Sequence, residues 1–154
     1  MPTLHETIAV CQRVNGSVTG VKLAPANMRD YLTGEVAAAN MPYVMTIPLE
    51  ASNTFGSIGA RYVRERRQYL IRVIVSPKAA GIGWEKPKEV VSLISSFVTK
   101  WMDETNELNT TAGLEIVYSD GVNDTGYRDN IRYGGIEYHG FEMNLAIDRI
   151  AISD

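Results

Sequence analysis

Catalytic and metal sites are built mostly from histidine, cysteine and paired carboxylates, and here such side chains are sparse. His5 and His139 are the only histidines, and Cys11 is the only cysteine. The histidines fall on distant elements with no second ligand nearby, so each is expected at a surface or an interface. Cys11 recurs with Ile8 and Val14 at helical spacing. That setting predicts a small core residue, because a reactive thiol wants a basic, exposed one. Asp120 to Gly126 has the composition of a calcium loop, but the third ligand position falls on Val122 and no glutamate closes the motif. Gly16 to Lys22 lacks the spacing, the Gly-Lys-Ser/Thr and the preceding strand of a phosphate loop. It reads as a turn. A carboxylate pair such as Glu137 with Glu142 or Asp148 is the one constellation that folding could still assemble. No catalytic residue, cofactor or metal ligand is expected.

Two surface features stand out instead. Arg61, Arg64, Arg66, Arg67 and Arg72 are five of the ten arginines, within twelve residues. Arginines there could simply guard a strand edge against pairing. Arginine also makes planar, bidentate contacts with carboxylate and phosphate, and Tyr62 and Tyr69 flank the run. The second feature is a set of loops rich in small residues, at 51–59, 78–84 and 119–128, carrying Trp84 and Tyr127. The expected partner interface is Arg61, Tyr62, Arg64, Arg66, Arg67, Trp84, Tyr127 and Arg128.

The elements that must carry these residues follow from periodicity. Thr3 to Glu6 spells a capping box; Leu4, Ile8, Cys11 and Val14 continue it as an amphipathic helix ended by Asn15-Gly16. A helical turn is expected near Met28 to Leu32. Tyr43 to Leu49 reads as a strand kept at an edge by Pro48. Arg61 to Arg67 feeds a β-branched strand over 68–75. Pro87 opens a long helix whose apolar stripe is Val90, Val91, Leu93, Ile94, Phe97, Val98, Trp101 and Met102. Strands are expected at 114–118, 131–133, 136–138 and 141–148, the last alternating strictly, with one wet face. This order predicts an α+β fold: a mainly antiparallel sheet of about four to five strands, with two main helices packed on one face.

At 154 residues, 45% hydrophobic and 21% charged, the chain matches a single domain over residues 1–154. Its formal charge of -3 argues against wrapping nucleic acid or an anionic membrane. No secretory segment is expected, and no apolar run approaches the roughly 20 residues of a membrane span.

The layout of helices and strands, the lead-in Met41-Pro42-Tyr43-Val44, the arginine-fed strand Arg67 to Val75 and the closing run Tyr138-His139-Gly140-Phe141-Glu142-Met143-Asn144-Leu145-Ala146-Ile147 together resemble the tail terminator and tail-completion proteins of long-tailed bacteriophages. The resemblance spans nearly the whole chain. It implies a virion structural protein without a catalytic motif, assembled in the host cytoplasm and resident in the tail or neck. Such a subunit forms a homo-oligomeric ring, usually hexameric, that caps the tail tube protein, stops its polymerisation and meets the head connector, with passive contact to DNA in the channel. A neck or head-completion protein of the same particle is the alternative reading. A nucleic-acid-binding module using Arg61 to Arg72 is a third.

Overall fold

The computed structural model describes residues 2–32, 34, 36–55, 62–78 and 85–152. Helix α1 (Leu4–Gly16) starts on the anticipated capping box. Thr3 Oγ1 accepts from the Glu6 amide at 3.1 Å, and Glu6 Oε2 accepts from the Thr3 amide at 3.2 Å. A short 3-10 turn at Met28–Asp30 leads towards the long strands β1 (Tyr43–Phe55) and β2 (Tyr62–Pro77). Then come α2 (Glu85–Met102), the single turn α3 (Glu107–Thr110), β3 (Leu114–Ile116), β4 (Asn123–Asp124), β5 (Arg128–Tyr133) and β6 (Ile136–Ile152).

All pairings of these strands are antiparallel. The order is β1-β2-β6, and β5, β4 and β3 share the far side of β6. The result is an α+β fold: an antiparallel sheet of six strands, carrying α1 and α2 on one face. Tyr69, Ile71 and Val73 of β2 lie level with Leu145, Met143 and Phe141 of β6. They pack into one cluster with Ile8, Cys11 and Val14 of α1 and with Val90, Leu93, Phe97 and Trp101 of α2. The stripe of α2 is narrower than expected: Val91 and Met102 are exposed.

Two strands are longer than the sequence suggested. Ala51 to Phe55, expected in a loop, continues β1 beyond a register shift. The last strand runs unbroken from Ile136 to Ile152 through Gly140. A Cβ on Gly140 would come 1.9 Å from the Val73 carbonyl oxygen. Glycine is thus what lets β6 close against β2 there, rather than a break between strands.

The second sheet face is not uniformly wet. Tyr31, Met41, Tyr43, Met45, Ile74, Ile131, Tyr133 and Tyr138 form a second cluster upon it. The Tyr31 hydroxyl donates to the Thr46 carbonyl and the Tyr133 hydroxyl to the Tyr31 carbonyl, both at 2.6 Å. Gly134 and Gly135, both at positive φ, turn β5 into β6. The Gly34 backbone presses so close that a Cβ on Gly134 would sit 1.8 Å from its carbonyl oxygen. This tyrosine-rich lid leaves only the other half of the face open.

A buried polar network locks α1 to β1 and α2. Gln12 Nε2 donates to the Pro25 and Val44 carbonyls, each at 2.9 Å. Thr46 Oγ1 donates to Gln12 Oε1 at 2.7 Å. Asn15 Nδ2 donates to Gln12 Oε1 and Thr46 Oγ1, and Trp101 Nε1 donates to Asn15 Oδ1 at 2.9 Å. Every one of these side chains is buried. Satisfied networks of this kind favour one packing over others, because an unpaired member is costly.

Candidate interaction surface

The open half of the second face is a set of cross-strand rows. Arg72 lies opposite Glu142, Leu70 opposite Asn144, Arg66 opposite Asp148 and Arg64 opposite Ile150. Side chains on one strand point alternately to the two faces. Adjacent arginines therefore part company. Arg64, Arg66 and Arg72 lie on the open face, and Arg67 lies on the helix-bearing face.

There Arg67 joins a half-buried cluster. Glu65 is 4% exposed and receives Arg67 and Arg149 together, each with its shortest approach at 3.0 Å. Burial pushes the Glu65 carboxyl up, but hydrogen bonds and charge from the two arginines outweigh it and hold the group below its ordinary value. Arg149 also donates to the Pro2 carbonyl at 3.2 Å, and Arg67 to the Leu49 carbonyl at 2.6 Å.

On the open face the pairs lie flat. Arg66 binds Asp148 through two hydrogen bonds, at 2.9 and 3.1 Å, and Arg72 Nε reaches Glu142 at 3.0 Å. The carboxylate pair considered from sequence does not form. Glu142 and Asp148 have these arginines, and Glu137 lies 3.4 Å from Lys78 Nζ. Arg64 has no ion pair among the described residues, which makes it the free cation of this row.

The expected interface residues do not form one patch. Arg61 and Trp84 lie outside the described residues. Tyr62 opens β2 across from Ile152. Arg128 opens β5 opposite Gly140, which is level with Ile74. Eight residues of β2 separate Ile74 from Arg66, about 27 Å at strand spacing. Tyr127 lies beside Arg128 and stacks on His139, ring centroids 5.9 Å apart, with its hydroxyl 2.8 Å from His139 Nδ1. His139 is fully buried, against the expectation of a surface histidine; His5 is exposed. The strand period hides His139: it falls on the helix-side face, opposite Ser76.

Other openings are shallow. A groove of about 850 Å³ runs between the end of α1 and α2, lined by Val18, Thr19, Ser96, Val98 and Met102 among others. Among the described residues no three His, Cys, Asp or Glu side chains gather as a metal site, and no helix is long and apolar enough to cross a membrane. Cys11 is buried, which pushes its thiol pKa well up and leaves it inert.

What sequence reasoning missed is mostly buried polarity. Gln12 and Asn15 stand with Ile8 and Cys11 at the i, i+3, i+4, i+7 positions of one helix face, so helical spacing already aimed them inward. Glu65 carried no such signal, because its partner Arg149 is 84 residues away.

No protein-family model matches this chain, and a search of curated proteins finds no significant match.

Proposed function

We propose that this chain is a structural subunit of a virus particle, a tail-terminator-type protein that closes into a ring on the end of a tail tube and then meets the head connector. The observation that carries this reading is the distal arm. β1 from Ala51, β2 up to Arg67 and β6 from Ile147, which β3 flanks only as far as Arg149, end the sheet in a stretch where Ser52, Asn53, Thr54, Phe55, Arg64 and Arg66 are all exposed. Phe55 is 82% exposed. An extended sheet end with a bare aromatic gains little for an isolated domain. It suits one that is completed by neighbours.

The arginine rows fit the same purpose. Ion pairs lying flat across strands make a surface for mating, and Arg64 remains available for a carboxylate on an adjacent subunit or on the tube protein. Ring closure requires each copy to present one patch to a different patch on the next. The nucleic-acid alternative is weaker. Arg66, Arg67 and Arg72 are engaged by carboxylates of the same chain, and phosphate binding would have to displace them.

Negative-stain imaging together with light scattering tests the reading. Particles with a central hole, alone or after mixing with tube protein, are expected. A lone 17.0 kDa species under both conditions would overturn it.

A further inference from the structure

Among the described residues the β1 and β3 edges of the sheet are largely sealed, and the exception on β1 is one short run. In β1 the backbone of Tyr43, Met45 and Ile47 turns towards β2, so that of Val44, Thr46 and Pro48 turns outward. Most of these outward groups are covered. The Val44 amide donates to Leu23 at 3.0 Å, the Val44 carbonyl accepts from Gln12, the Thr46 carbonyl accepts from Tyr31, and Pro48 has no N–H. The opposite rim is also closed at β3. The Leu114 amide donates to Thr111 and the Ile116 amide to Asn109 Oδ1.

Beyond the register shift the pattern changes. Ser52 and Thr54 lie opposite Arg66 and Arg64 on the inward side, so Ala51, Asn53 and Phe55 turn their N–H and C=O groups outward. Among the described residues nothing bonds them. From Ala51 to Phe55 there is no charge and no proline, the usual devices that keep an edge strand from pairing.

We propose that this edge pairs with the same edge of a second copy, antiparallel about a two-fold axis through Asn53. That register sets Phe55 against Ala51 of the second copy and Asn53 against its own counterpart. Large then meets small, two amides meet, and no like charges oppose within the run. The hydrogen-bonded positions coincide, because 51, 53 and 55 are the outward residues of both strands. The edge is self-complementary, which favours a second copy over a foreign strand. This goes beyond the ring reading and does not rest on it. The pairing would join two single chains, or two rings face to face, into one continuous sheet.

The test is Asn53→Lys, which sets two ammonium groups against each other at the axis while leaving the chain's own hydrogen bonds intact. Light scattering should give a mass half that of the wild type, whatever the starting assembly, with the circular dichroism of the folded chain retained. Asn53→Cys supplies a second readout that does not depend on the lysine variant folding. Hydrogen-bonded antiparallel pairs sit about 5.5 Å apart at Cα, within disulfide range, so mild oxidation should give a reducible two-chain product. Cys11 is buried and does not compete. A wild-type mass equal to that of the folded lysine variant, or an oxidised Asn53→Cys that runs as one chain, would overturn the pairing. Loss of ring-shaped particles with the twofold mass change intact would sink the ring reading alone.

Discussion

The two faces of the sheet use polar side chains in opposite ways. Under the helices, Gln12, Asn15, Thr46 and Trp101 are buried and bonded only to one another and to backbone. On the open face, Arg66 is wet and Arg72 half-buried, each paired across strands with one carboxylate. The buried network has no alternative partner if one member is lost, whereas an exposed arginine has water. Stability therefore belongs to the first set and contact to the second. Substitutions that disturb the helix-bearing face should unfold the protein, and those on the open face should change only what it touches.

The largest effect is expected where the backbone itself has no room. Gly140→Ala drives a methyl group into the Val73 carbonyl and should cost about 3 kcal/mol or more in urea unfolding. Were it tolerated, the tight closure of β6 on β2 would be wrong.

Glu65→Gln comes next, at about 3 kcal/mol, because it leaves Arg67 and Arg149 facing a neutral amide in a half-buried site. Its pH dependence sharpens the comparison. The folded carboxyl titrates below its ordinary value, so on acidification the unfolded chain takes up the proton first. The contribution is complete above the unfolded value, about 4.3. It is lost as pH falls through the lower folded value. Unfolding followed between neutrality and strong acid should show that loss in the wild type and a flatter profile in Glu65→Gln.

Asn15→Ala strands the Trp101 indole N–H and should cost about 2 kcal/mol, with a change in near-ultraviolet tryptophan signal. Arg66→Ala is the smallest. It should leave the urea midpoint in place and alter only the oligomer or its salt dependence. A large drop in midpoint would erase the distinction between the faces.

Much of the fold was legible one element at a time. The capping box, the apolar stripe of α2 and the alternation of β6 are local patterns, and each led to the right element type. The arginine run was legible only in part. Read as a segment feeding a strand, it looked like one cluster. Because β2 begins at Tyr62, the period of two sends Arg66 and Arg67 to opposite faces. The tyrosines of the second cluster gave no warning either, since Tyr31, Tyr43 and the hairpin pair Tyr133 and Tyr138 come from three separated stretches of chain.

By itself, then, the sequence determined which stretches become helix or strand and which side of each is apolar, because neighbours within a few residues set backbone preference and facing. Tertiary structure alone decided which half of the second face is covered, which glycines must stay glycine and which rim stays open. Those outcomes depend on segments far apart in the chain coming within a few ångströms, and no local pattern encodes that distance.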